Sequence, residues 1–439
     1  MTKIACLAGA AALALLAGTA HAQSAEDATK AALAAIQAKN PTLHAVIATN
    51  PNALADAKAL DAERKAGKVR SALHGVPILL KDNIESADPL PTTAGSLALK
   101  DNITGRDAPV AKRLRDAGLV ILGKANLSEW ANIRSNKSIS GWSAVGGTVR
   151  NPYVLDRSAC GSSSPMTTTV EDAAKVLTII AGSDPADPAT KDADARKTDY
   201  AKGLSKDALK GVKLAVARFY TGYSPKTDAV FERALKELQA QGATLVDVKD
   251  FDEGPIGKAE GVVLYTELKA DMAAYLASTD PQKVPARTLA DLIAFNKATP
   301  KEFEWFGQER FEQSENTKGL SDPDYLKALA DSKRLAGPEG IDKILKDTGA
   351  VAIVAPTTGP AWTIDPLNGD NYGGSATTLP AVAGYPHLTV PMGDVTGLPV
   401  GLSFIGPAWS EKLLLNLGYA YEQATRHRKP PTFLKTIAP

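Results

Sequence analysis

Apolar residues recur along the 439-residue chain with two spacings. Over 25–38 and 52–64 they fall three and four apart among charged positions, which predicts helices with one buried face. The same spacing returns over 108–117, and Gly118 stands where a helix C-cap belongs. Between these lie apolar runs at 43–48, 75–82 and 119–122, too short for helices and predicted as buried strands. Further helices are predicted over 170–181, 227–241 (closed by Gly242) and 410–425, with a mostly helical stretch from 261 to 346. Strands are predicted at 212–217, 244–248, 350–355, 387–391 and 400–405. Residues 184–200 are polar, contain Asp-Pro twice, and read as a surface loop. Alternating strands and helices predict an α/β fold with a mixed, mostly parallel central sheet flanked by helices.

The first 22 residues break the pattern. Lys3 precedes an apolar run over 4–17, and Ala20-His21-Ala22 gives a small-x-small cleavage site. This is the pattern of a secretory signal peptide, with cleavage expected before Gln23 and a periplasmic or secreted product. The run is too short and too rich in Ala and Gly for a strong spanning helix, so no stable membrane insertion is expected. The remainder, 23–439, reads as a single domain without repeats or long linkers. Cys160 is then the one cysteine left, so no intrachain disulfide can form.

Composition removes several classes. A formal net charge of +1 offers no electrostatic footprint for nucleic acid. His44, His74, His387 and His427 are not spaced as metal ligands with one another or with Cys160, so no metal is expected. Glycine-rich nucleotide loops are absent, as is a GxSxG elbow, and no cofactor is expected. Nothing in the sequence specifies an oligomeric state.

Two segments carry candidate chemistry. Lys81 directly follows five apolar residues, a position in which burial would favour the neutral amine and make it a base. Gly161-Ser162-Ser163-Ser164 supplies hydroxyls on an unhindered backbone. Taken singly, these also fit a strand-end lysine pointing to water and a polar turn. Together they point to a Ser/Lys hydrolase rather than a His-based one.

The surrounding motifs add to this. GVPILLKDN (75–83), PTTAGS (91–96), AGLVILGKAN (117–126), GWSAVGG (141–147), RNPY (150–153), CGSSS (160–164), PAVAGYP (380–386) and LPVGL (398–402) resemble the amidase signature family. The likeness runs from about 25 to 431 and is nearest to bacterial peptide amidases, which hydrolyse the C-terminal amide of peptides. The resemblance implies the family's Ser-Ser-Lys hydrolase fold and a small-molecule or peptide amide as substrate. It also implies that Lys81 is the catalytic base and that Ser162 is the serine relaying protons between base and nucleophile. Ser163 beside it is assigned to substrate contact.

One departure stands out. In the family the serine-rich stretch leads into a small-residue helix, a strand and a Thr-Asp-Gly-Ser loop, whose last serine is the nucleophile. Here Ser164 is followed at once by Pro165-Met166, which resembles a segment several dozen residues further on in the family. The sequence therefore predicts a fold lacking part of its core, an absent nucleophile and loss of activity. A gene or gene-model deletion, a degenerate pseudoenzyme and an engineered deletion all fit. The alternative functional reading is an exported, non-catalytic ligand-binding protein; an export signal plus an α/β body also fits a solute-binding protein, but the amidase motifs argue strongly against that.

Overall fold

The computed structural model describes residues 24–159 and 166–437. Ser24 caps the first helix, Ala25–Leu43, by accepting a 3.0 Å hydrogen bond from the Asp27 amide. This helix runs past its predicted end and through Pro41, because a proline in the last turn removes only one ladder donor. It stops at His44, whose φ of 52° is left-handed and whose N–H reaches the Asn40 carbonyl at 2.8 Å.

Three strands follow: β1 (Val46–Thr49), β2 (Pro77–Lys81) and β3 (Val120–Ala125). They form a sheet in the order β1-β3-β2, with β3 antiparallel to β1 and parallel to β2. Central β3 alternates its side chains between two cores. Val120 and Leu122 pack with Ala53, Ala57 and Leu60 of helix Ala53–Lys65. Ile121 packs with Leu80 and with Ala111 and Leu114 of helix Pro109–Asp116. Gly123 is required by the β1–β3 pairing, since a Cβ there would lie 2.1 Å from the Ala48 carbonyl oxygen. A small ribbon, β4 (Trp142–Ser143) with β5 (Gly147–Thr148), stands beside this sheet's loops.

The second sheet comprises β6 (Lys213–Ala217), β7 (Thr244–Val248), β8 (Ala352–Pro356), β9 (His387–Val395) and β10 (Leu398–Ile405), ordered β7-β6-β8-β10-β9. β6 is parallel to β7 and β8, whereas β10 is antiparallel to β8 and β9. One face buries Leu214, Val216, Val354 and Phe404 under helices Pro225–Ala240 and Glu411–Thr425. The other buries Ala215, Ile353 and Ile405 against Ile344 and Leu379.

The predicted mixed α/β architecture is thus present, with its strands in two sheets. The two strands predicted at 387–391 and 400–405 are longer and meet in a hairpin. Thr396 (φ 52°) and Gly397 (φ 84°) are both left-handed, as a two-residue turn of the I′ kind requires. The predicted loop at 184–200 contains two short turns, Pro188–Thr190 and Ala193–Arg196. The helical stretch resolves into Gly254–Ala277, Leu289–Ala298, Glu309–Glu315, Pro323–Ala336 and Lys343–Thr348, the last two joined by a π-helical segment, Gly337–Asp342. Among the described residues no helix is long and apolar enough to cross a membrane. The expected signal peptide lies outside the described residues.

Candidate active site

β2 delivers Lys81 to the end of the first sheet, half-buried and opposite Ala125 of β3. Asp82 follows it and is fully buried. Its amide bonds the Ala125 carbonyl at 3.1 Å. Its Oδ2 accepts from the Thr93 amide at 3.2 Å and from the Thr93 hydroxyl, while Oδ1 has no hydrogen-bond partner. Burial pushes this carboxyl up to about 6, against the opposing pull of Thr93 and Lys124.

The 91–96 motif closes over the strand ends. Gly95 (φ 83°) admits a close approach, since a Cβ there would sit 2.7 Å from Ser143 Cβ. Lys124, inside β3, is a second and wholly buried lysine. Its Nζ donates to Thr92 Oγ1 at 2.8 Å and to the Ile84 carbonyl. Burial holds its pKa below the ordinary lysine value, and Asp82 only partly offsets this. Asn126 ties the strand end to its surroundings: Nδ2 donates to the carbonyls of His44 (2.9 Å) and Gly147 (3.1 Å), and Oδ1 accepts from Ser143 Oγ (2.7 Å).

The chain then makes an unusual turn. Trp130, Ala131 and Asn132 have φ of 48°, 53° and 67°, three successive non-glycine residues in the left-handed region. Each such residue costs on the order of 1 kcal/mol, and clusters of them mark sites where backbone geometry serves a purpose. Trp130 and Ala131 line a cavity of about 420 Å³ that also touches Asn83 and Thr92, two residues beyond Lys81 and one from Thr93 respectively. Helix Gly254–Ala277 forms its far wall through Leu264, Leu268, Met272 and Tyr275, with Glu267 and Asp271 between them. The volume fits a small-molecule or single-residue ligand in a largely apolar space.

Below this turn lies a buried ionic cluster. Arg134, Glu129 and Glu302 are all inaccessible to solvent. Arg134 Nε stands 3.1 Å from Glu129 Oε1, an ion-pair contact whose alignment is not that of a hydrogen bond. Its Nη1 donates to the Glu302 carbonyl at 2.6 Å, and its guanidinium lies 4.5 Å from the Phe306 ring centroid. Burial first, and the adjoining Glu302 second, raise the Glu129 carboxyl well above the ordinary range. Glu129 also accepts from the Ala144 amide at 2.9 Å, and Glu302 from the Leu97 amide at 2.8 Å. The cluster therefore locks the 91–96, 129–134 and 142–148 segments together.

A histidine–serine contact exists elsewhere. His387 Nε2 lies 2.6 Å from Ser403 Oγ, and burial lowers the imidazole to about 4, so it is neutral at pH 7. Ser403 is fully buried and also bonded to Thr357 Oγ1 at 2.8 Å, which keeps any acyl donor away from it. Among the described residues no group of three or more His, Cys, Asp or Glu could hold a metal ion.

Of the residues singled out from sequence, Lys81 ends β2 two residues before Asn83 of the cavity wall and is not itself one of the cavity's lining residues. Ser162 and Ser163 lie outside the described residues, as does the Ser164–Pro165 junction. Lys124, Asp82, the 130–132 turn and the Glu267/Asp271 wall receive no role from sequence. Lys124 carries a usable signal, a lysine embedded in an apolar strand just as Lys81 is. The turn carries little, because of its three residues only Asn132 is of a type that favours the left-handed region.

The profile of a family described as Amidase matches residues 27–164 and 164–415. A protein described as probable amidase At4g34880, from Arabidopsis thaliana, is 34% identical over 472 residues, covering 92% of this chain and 87% of its own length. A component of the glutamyl-tRNA(Gln) amidotransferase of Myxococcus xanthus is 33% identical over 478 residues, covering 91% and 94%. Among solved structures, the native peptide amidase from Stenotrophomonas maltophilia superposes with a TM-score of 0.87 at 42% identity, covering 94% of this chain and 96% of that one. A peptide amidase in complex with the competitive inhibitor chymostatin gives 0.88 at 42%, with the same coverage. Both sequence alignments are longer than the 439-residue chain itself.

Proposed function

The chain belongs to the amidase signature family of hydrolases, and on that premise we propose that it is an exported amide-binding protein that has lost the nucleophile of its lineage. The ancestral reaction is hydrolysis of a carboxamide to acid and ammonia through a serine acyl-enzyme. In this reading Lys81 is the remaining base, Ser162 the remaining proton relay and Ser163 a substrate contact, all within one domain over 23–439.

The observation that carries the reading is the break at residue 164. The family match stops and restarts there, alignments of 472 and 478 residues exceed a chain of 439, and Ser164 is joined directly to Pro165. In this reading the segment lost at 164 carried a strand of the sheet's centre, which fits the division of the described strands into two sheets. Without a nucleophile the covalent route is closed, and a base has nothing to activate. Losing even one oxyanion donor costs about a hundred- to a thousandfold in rate.

The test is ammonia release by purified protein from a peptide amide and an aryl amide, run beside Lys81→Ala. The expected result is no release above the variant. Turnover that disappears in the variant would contradict the reading and direct attention to Ser162 or Ser163. Export is tested separately: protein recovered from the periplasm should begin at Gln23.

A further inference from the structure

The wall of the cavity formed by helix Gly254–Ala277 has a feature that amide binding does not need. Leu264, Leu268 and Met272 recur one turn apart, an apolar stripe facing the cavity. Glu267 and Asp271, themselves one turn apart, line the same cavity. Neighbouring like charges at this spacing repel. Among the described residues neither carboxylate has a cationic partner within ion-pair distance. Glu267 accepts one hydrogen bond, from the Tyr325 hydroxyl at 2.8 Å, which leaves its charge uncompensated. Asp271 is exposed, with its carboxyl raised first by partial burial and then by Glu267. Trp130 and Tyr275 line the same space and offer aromatic surface.

We propose that this cavity selects ligands carrying a positive charge on an apolar or aromatic body, the cation sitting between Glu267 and Asp271 and the body against Trp130, Leu268 and Met272. The inference rests on the proposed amide-binding function and takes this cavity, lined by Asn83 and Thr92 of the motifs around Lys81, as the place where the amide is held. A cation there relieves the repulsion between the two carboxylates and gains from the adjacent rings. A neutral ligand of the same shape gains only apolar burial, and an anion is repelled. The 420 Å³ volume holds a substituted benzamide or one amino-acid side chain. The chemical class is thus a basic amide, such as a peptide or amino-acid amide with an ammonium group near its apolar part.

Isothermal titration of the full protein with 4-(aminomethyl)benzamide, 4-ethylbenzamide and 4-carboxybenzamide at pH 7 tests this. These probes share one body and differ in charge. The cationic probe should bind about five- to tenfold more tightly than the neutral one, and the anionic probe more weakly than either. In Glu267→Gln/Asp271→Asn the preference should fall to within about twofold, with the neutral probe unchanged. The single Asp271→Asn, at an exposed position, should remove part of it without touching the fold. Equal binding of cationic and neutral probes, a preference that survives in the double variant, or no binding of any probe would overturn the proposal. 4-Ethylbenzylamine, a cation without an amide, separates the two readings. If it binds as tightly as the aminomethyl amide, the charge preference stands and the amide-site reading falls.

Discussion

Asp82 shows how a single residue beside Lys81 is tuned by its place in the fold. Its carboxyl, at about 6 in the folded chain against an ordinary value of 3.8, keeps a proton that the unfolded chain releases. Between about pH 4 and 6 the folded state therefore binds more protons, so stability falls as pH rises through that window and this penalty is complete above it. Asp82→Asn retains an oxygen for the Thr93 donors and removes the charge. We expect it to be more stable than the parent by about 2 kcal/mol at pH 7 and close to it at pH 4, read from urea unfolding at both pH values. An equal difference at both would contradict the assignment. The Arg134 cluster makes an opposite prediction. Arg134→Ala leaves two buried carboxyls without their cation and should cost about 3–5 kcal/mol, whereas Glu129→Gln, at a site already biased toward the neutral form, should cost much less. Residues of this kind are only partly legible in sequence. Lys81 can be picked out because an apolar strand ends on it. Arg134, Glu129 and Glu302 are far apart in sequence or on an irregular loop, and only folding reveals that they share one dry space.

At the level of elements, local pattern is legible wherever one face is buried. The helix expected at 227–241 and the strand at 244–248 fall within two residues of Pro225–Ala240 and Thr244–Val248, because apolar period and glycine punctuation agree there. The hairpin is not legible, because Thr-Gly is a weaker turn signal than Asn-Gly. Gly397→Ala should cost about 1 kcal/mol, since the turn holds this residue at φ 84°. The run at 130–132 predicts the reverse. Ala131→Gly should raise stability by about 1 kcal/mol in thermal unfolding, because glycine adopts φ 53° without the clash of a Cβ. If the strain serves the cavity, the same variant should bind the amide probes more weakly while melting higher.

For the whole molecule, the family and the α/β architecture are legible from ordered motifs spread along the chain, and the structural likeness to peptide amidases agrees with them. Those motifs leave open the arrangement of strands in two sheets and the acidic wall of the cavity, both of which depend on which distant segments meet. The proposed function stands or falls on whether the amidase scaffold persists here without a nucleophile. A fluorophosphonate phosphonylates the activated serine of a hydrolase, so intact-mass measurement after incubation with one reports on that serine alone. No change in mass is expected while the protein remains folded. A stoichiometric adduct mapped to Ser162, Ser163 or any other serine, and absent from Lys81→Ala, would show that a working nucleophile is present after all.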